Sequence, residues 1–183
     1  MCGRSTQSLC SIDGMVEIRQ IGPSDSIEEL TELLHRAYAP LGSVGLNYTA
    51  VDQTPSTTRE RVNAGCCYVA IEGGRLIGTI VVEPTSRNDA ECPYFAKPGV
   101  ASAHQMAVAP QCQRRGIGSR LLEAAEMWAR NNGFSELALD TAEPAHHLVE
   151  MYSRRGYRHV DTTQGEGKSY RSVFMSKKLN HAA

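Results

Sequence analysis

Nowhere in these 183 residues does an apolar run approach the roughly 18 positions needed to cross a bilayer, because charge or glycine breaks the longest candidates within a few residues. No membrane span is expected. Net charge is nearly absent as well, with 19 Lys and Arg set against 20 Asp and Glu for a formal charge of −1. Without a strong positive field, neither a nucleic acid nor an anionic membrane is the expected partner, and a small molecule or peptide is. The six cysteines contain no C-x-x-C pair, and the adjacent Cys66 and Cys67 would face opposite sides of a strand. Neither a metal site nor a disulfide framework is expected, and the cysteines read as small reduced hydrophobes. Met1 to Gly14 lacks the apolar core of a secretory signal. It reads as a flexible leader of a cytoplasmic protein, with residues 15–183 as one domain of ordinary size, at roughly 100–200 residues per domain. No internal repeat and no linker divide the chain.

What the sequence does contain is an alternation of strand and helix signals. Met15–Ile21 alternates polar and apolar residues as a half-buried strand does. Apolar residues then recur at helical spacing from Ile27, with Ser24 or Asp25 as cap and Pro40 and Gly42 as the stop. A polar irregular segment follows, and Thr54-Pro55-Ser56 opens a short helix running through Val62. Two β-rich runs joined by Glu72-Gly73-Gly74-Arg75 predict an antiparallel hairpin. The stretch from Pro84 to Gly99, with three prolines, predicts a long loop bordering a functional site. Beyond it come a strand over Val100–Val108, a strongly amphipathic helix over Gly116–Asn132, a short strand at Leu137–Leu139 and a helix over Pro144–Arg155. A closing hairpin of Tyr157–Thr162 and Tyr170–Leu179 completes the chain. The predicted class is α/β: a mixed, mostly antiparallel sheet with one central parallel pair and helices on both faces.

Chemistry is expected between the Val100–Val108 strand and the next helix. Gly116 and Gly118 allow a ligand to approach the main chain, and the unpaired amides of a first helical turn lie at the positive end of its dipole. Arg114 and Arg115 add charge, so the turn suits a diphosphate. Two common nucleotide motifs are missing. There is no G-x-x-x-x-G-K-[ST], and the third glycine of G-x-G-x-x-G is replaced by Leu121.

The run Gln113-Arg114-Arg115-Gly116-Ile117-Gly118 matches the Q/R-x-x-G-x-G/A signature and thereby resembles the GNAT superfamily of N-acetyltransferases. Met106-Ala107-Val108-Ala109-Pro110 is similar to the end of that family's fourth strand. Met151 to Tyr157 resembles its Leu-Tyr-x-x-x-Gly-Phe segment, and the order of elements agrees over nearly the whole chain. The resemblance implies acetyl-CoA as cofactor and CoA as product, bound where the fourth and fifth strands splay apart. By that likeness the amides of Arg114, Arg115, Gly116, Ile117, Gly118 and Ser119 hold the pyrophosphate, with Gln113 opening the motif. Main-chain groups of Met106, Ala107 and Val108 pair with the pantetheine arm, and the amide of Ala107 or Val108 polarises the thioester carbonyl.

Tyr152 would read as a core residue from its apolar helix face alone. The resemblance implies instead a general acid beside the departing sulfur. His104 lies where some family members, arylalkylamine acetyltransferases among them, carry a catalytic His. Glu83 and water are the other candidates for the base that frees the acceptor amine. The chain departs from the family in carrying Ala145 and Leu148 where Asn and Ala are frequent. Acceptor recognition is expected from the first helix and following loop, Tyr38 to Thr54, and from Pro84 to Gly99, with Tyr38, Glu83 and Tyr94 as the candidate contacts. The expected activity is N-acetylation of a primary amine on a small molecule, protein N-terminus or lysine through a ternary complex. A non-catalytic CoA-binding sensor is the alternative, and a homodimer is compatible with either.

Overall fold

Seven strands build one sheet, and chain order is broken only at its far edge. The computed structural model describes residues 15–84 and 92–179. The expected leader and the tip of the long loop lie outside the described residues. Strands β1 (Glu17–Gln20), β2 (Cys66–Glu72), β3 (Arg75–Glu83), β4 (Val100–Val108), β5 (Glu136–Ala142), β6 (Arg158–Gln164) and β7 (Arg171–Lys178) are ordered β1-β2-β3-β4-β5-β7-β6. Every neighbouring pair is antiparallel except β4 and β5. The β2–β3 hairpin turns through Gly73 and Gly74, both at positive φ, as a two-residue turn between right-twisted strands requires.

Helix α1 (Ile27–Ser43) starts where the Ser26 hydroxyl accepts the Glu29 amide at 3.1 Å, with Glu28 and Glu29 facing the positive end of the dipole. The cap is therefore Ser26 rather than Ser24 or Asp25. Asp25 instead takes a bidentate pair from Arg19 at 2.6 and 2.8 Å. Its carboxyl is held below the usual range by that guanidinium. Pro40 does not end α1, which continues to Ser43. This far along, a proline forfeits one helical hydrogen bond, and the buried stripe of Leu30, Leu33 and Leu34 already holds the helix to the sheet. Helix α2 (Pro55–Asn63) is capped by Thr54, whose hydroxyl accepts the Thr57 amide at 3.2 Å.

Helices α1 and α2 pack together against β2, β3 and β4, while α3 (Ile117–Asn131) lies across β1 to β5. The apolar stripe of α3 is buried through Leu121, Leu122, Ala125 and Ala129. Its one buried carboxylate, Glu126, is met by Lys177 of β7 at 2.8 Å and by the Tyr157 hydroxyl. Helix α4 (His146–Arg154) follows β5. Strand β5 runs well past the expected Leu137–Leu139 because β7 pairs along its whole length.

The pair β4 and β5 is parallel, as expected, but only from Val100 to Ser102 against Glu136 to Ala138. Beyond that the strands part. On β4, Gln105 and Met106 together face the single Ile80 of β3, because Thr79 pairs with Ala107 while Val81 pairs with His104. Gln105 absorbs this extra residue at a φ of +53°. A bulge of this kind bends its strand and re-aims the side chains beside it.

Gly65 fixes where β3 ends. A Cβ there would lie 2.2 Å from the Val82 carbonyl oxygen and 2.8 Å from Glu83 Cβ. Main chain cannot swing aside as a side chain can, so Gly65→Ala is expected to destabilise the protein by about 2 kcal/mol or more. Thermal unfolding should show a fall of roughly 4–8 °C.

Candidate active site

The parting of β4 and β5 opens a cavity lined by Tyr38, Ile80, His104, Met106, Asp140 and Tyr152. Three walls converge on it from separate parts of the chain. The Tyr38 hydroxyl on α1 donates to the Met106 carbonyl oxygen at 3.0 Å, which pins the helix to the bulge. Tyr152 on α4, 7% exposed, points its hydroxyl at Met106 Sδ, 3.7 Å away. Burial pushes both phenols well above the ordinary tyrosine range, so both stay neutral and able to donate.

His104 and Glu83, read from the sequence as rival bases, are brought together. Glu83 is 5% exposed at the end of β3, and its Oε1 lies 3.6 Å from His104 Nε2. Ser102 Oγ also reaches Glu83 Oε1, at 3.4 Å. The other ring nitrogen of His104, Nδ1, is buried and has no partner. Gln105 is 4% exposed, and its Oε1 is likewise unpaired. Buried polar atoms without partners mark a place where a ligand can complete the hydrogen bonding.

Beyond this cavity, the end of β5 is held by Tyr48. Its hydroxyl accepts the Ala142 amide at 2.7 Å and bonds Thr141 Oγ1 at 3.0 Å. A side-chain oxygen thus serves the edge of β5 that β4 has left. The Tyr48 ring packs between Tyr38 and Tyr170, with centroids 5.3 and 5.0 Å away.

At the other end of the cleft, α3 begins at Gly116 in the left-handed region, φ +78°, with no side-chain cap. The amides of Ile117, Gly118 and Ser119 therefore have no partner within the helix. Arg114 is also left-handed, φ +61°. Left-handed residues on either side of Arg115 gather amides into a concavity suited to an anion. A Cβ at Gly116 would meet open space, whereas one at Gly118 would come 2.9 Å from Met106 Cε, so Gly118 seats α3 closely on β4. The free edge of β4 after Ser102 leads from this turn into the cavity. That continuity fits a long ligand with a diphosphate at one end and a reactive group at the other.

A model of the acetyltransferase (GNAT) family matches residues 27–157, well over half of the chain. The chain belongs to the GNAT acetyltransferase family. Among curated proteins, the S-(2-succino)cysteine N-acetyltransferase of Bacillus subtilis is 32% identical over 159 residues, covering 84% of this chain and 91% of that one. A GNAT acetyltransferase from Elizabethkingia anophelis, solved with acetyl-CoA bound, superposes with a TM-score of 0.64 at 19% identity, covering 92% of this chain and all of that one. The ribosomal-protein-S18-alanine N-acetyltransferase of Escherichia coli gives 0.70 at 14% identity over 92% and 97%. At those identities the two structures speak for the GNAT fold alone.

Within this GNAT chain, Tyr152, His104, Met106 and Tyr38 meet at one cavity, and Glu83 lies behind His104. Tyr94 does not join them. Its hydroxyl donates to Glu136 at 2.6 Å, at the end of β5 where β4 is still paired. Among the motif arginines, Arg114 is exposed, while Arg115 is bound by Glu72 through two hydrogen bonds of 3.0 and 2.6 Å. Gln113 donates to the Val108 carbonyl at 3.3 Å. Arg155, absent from the sequence reading, hydrogen-bonds Ser119 Oγ and links α4 to the first turn of α3. Gln105 went unsignalled, since it carries no motif. Tyr48 falls in the Tyr38–Thr54 region expected to recognise the acceptor, and Asp140 ends the Glu136–Asp140 strand that the family resemblance implies, but neither was singled out.

Tyr48→Phe keeps the ring packing but leaves the Ala142 amide, on a fully buried residue, without its acceptor. Urea unfolding is expected to show a loss of roughly 1–3 kcal/mol. A change below about 0.5 kcal/mol would mean that the hydroxyl does not hold this edge of β5.

Proposed function

We propose that this protein transfers the acetyl group of acetyl-CoA to a primary amine on a small molecule, by direct attack with both partners bound. The observation that carries the reading is the cavity at the parting of β4 and β5, where His104, Asp140 and Tyr152 share one space. The curated relative points to the acceptor: an S-substituted cysteine of the S-(2-succino)cysteine kind, acetylated on its amino nitrogen.

Acetyl-CoA supplies an activated thioester when bound. The amides of Ile117 to Ser119, with the α3 dipole behind them, hold its pyrophosphate. Gly116 and Gly118 leave the main chain open to it. Met106 to Val108 offer a free strand edge to the pantetheine arm, and an amide of Ala107 or Val108 faces the oxygen on which negative charge gathers.

An alkylammonium is almost wholly protonated near neutral pH, so the acceptor needs a base. Glu83 Oε1 stands 3.6 Å from His104 Nε2, on the side of the ring away from the unpartnered Nδ1, which is the nitrogen left to take the amine proton. As the C–N bond forms and the C–S bond breaks, Tyr152 gives its proton to the sulfur and regains one from the acylated nitrogen. CoA leaves as the thiol, and one proton net is released.

A cysteine relay is disfavoured by position. Cys92 packs with Phe95 and Phe174 away from the cavity, and burial pushes its thiol up. Cys67 is pushed up to about 11, and it faces Thr79. A role confined to sensing CoA gives no use for a buried neutral phenol and an imidazole backed by a carboxylate in one cavity.

Thiol release from acetyl-CoA, measured with S-(2-succino)cysteine as acceptor, tests the reading. Tyr152→Phe should lower kcat by roughly 10- to 1000-fold with little change in CoA affinity. His104→Gln should be weakest near neutral pH and recover as pH rises toward the pKa of the acceptor amine, where free base no longer has to be generated. A fully active Tyr152→Phe, or a His104→Gln protein with the parent pH profile, would contradict these assignments.

A further inference from the structure

A second chamber adjoins the first. The two share Tyr38, His104, Gln105 and Asp140, and the second is completed by Arg61 of α2 and Lys168 of the β6–β7 turn. Two cations from elements far apart in sequence thus face the space beside the proposed acetyl-transfer centre.

The elements that carry them are tied to their neighbours. Helix α2 is locked through Thr58, whose hydroxyl receives Thr31 Oγ1 and Gln53 Nε2, each at 2.7 Å. Gln105 Nε2 reaches the Gln53 side chain in turn, at 3.4 Å, which ties α2 to the bulge of β4. The turn carrying Lys168 is tied to the loop after α1. Asn47 Nδ2 donates to the Gly167 carbonyl at 2.8 Å, and the Ser169 amide donates to Asn47 Oδ1 at 2.8 Å.

Among the described residues, neither cation has an ion-pair partner, whereas Arg19, Arg115 and Lys177 each hold a carboxylate closely. Loss of water around Arg61 lowers its proton affinity, partly offset by the fields of Tyr38, Asp140 and Glu83. A guanidinium nevertheless stays charged in a protein. The carboxylates whose fields reach Arg61 close no ion pair with it, and a part-buried cation held so is stabilised when a ligand brings a directly bonded anion.

We infer that Arg61 and Lys168 form the carboxylate-binding end of the acceptor site, so the amine carries acid groups on the side away from its nitrogen. This rests on the acetyl-transfer reading for the role of the nitrogen, but the anion site stands on Arg61 and Lys168 themselves. Asp140 gives the site its polarity. It lies in both chambers beside His104, where an ammonium is favoured and a second anion is not. The planar guanidinium fork matches a carboxylate with two parallel hydrogen bonds, and the Lys168 ammonium adds a second charge for a second acid group. The ligand class is an amino acid with at least one carboxylate beyond the amine.

Calorimetric binding of S-(2-succino)cysteine and of its fully esterified form, to the CoA-loaded protein, tests the inference without turnover. The acid should bind much more tightly than the ester. Arg61→Gln and Lys168→Gln should each narrow that preference by roughly 10- to 100-fold, and Arg61→Lys should restore part of it. Circular dichroism checks that the variants are folded, and Lys168, on a turn, gives a second variant apart from the helix. Equal binding of acid and ester, or folded variants with the parent preference, would overturn the inference while leaving acetyl transfer intact. Acid-selective binding lost in Arg61→Gln, together with no thiol release from the parent protein, would support the anion site and overturn the acetyl-transfer reading.

Discussion

One extra residue in β4 governs the geometry of this protein. Gln105 and Met106 together oppose Ile80, so β4 bends at its sixth and seventh residues, in the stretch beyond Ser102 where it no longer pairs with β5. Everything used in the cleft follows from that separation. The freed edge of β4 can take a ligand, the freed edge of β5 is served by Tyr48, and Met106 turns its carbonyl to Tyr38 and its sulfur to Tyr152. A non-glycine residue at positive φ costs on the order of 1 kcal/mol. Gln105 is kept there by Gln53 and by the paired strand segments on either side.

The cleft's electrostatics have the same origin. The space between the strands is walled by tyrosines, and removal of water keeps Tyr38, Tyr48 and Tyr152 protonated, so they donate without adding charge. Against this neutral wall stand a few charged groups at separate places. Glu83 lies behind His104, Asp140 lies between the chambers, and Arg61 and Lys168 line the outer one. A low-dielectric setting strengthens each of these fields, so position decides which end of an acceptor each can bind. The helix start at Gly116 extends the pattern, because backbone amides provide positive potential there even with Arg115 neutralised by Glu72.

How much of this could be read from the sequence depends on how local each feature is. The β4 strand, the glycine turn and α3 were legible because their signals are contiguous, and Val100–Val108 agrees to the residue. Tyr152 was legible through its fixed distance from Gly156. The bulge was not, since a period of two does not reveal which residue of a strand is supernumerary. The pairing of His104 with Glu83 was missed because it runs diagonally across β3 and β4, and each residue alone looked like a rival base. Arg115 looked free because its partner, Glu72, comes from the β2–β3 hairpin. Tyr94 was drawn into the site by its loop, yet it anchors the closed end of the strand pair. Arg61 and Lys168 have no local signature at all, and only the packing of α2 and the β6–β7 turn beside β4 brings them together.

The central claim is that the open edge of β4 and the start of α3 form one continuous cofactor surface. Amide hydrogen exchange with and without acetyl-CoA tests it directly, since amides that gain a ligand partner exchange more slowly. Protection is predicted at residues 106–108 and 114–119, with residues 100–102, already paired to β5, unchanged. Protection confined to other segments, or none at saturating acetyl-CoA, would contradict the account.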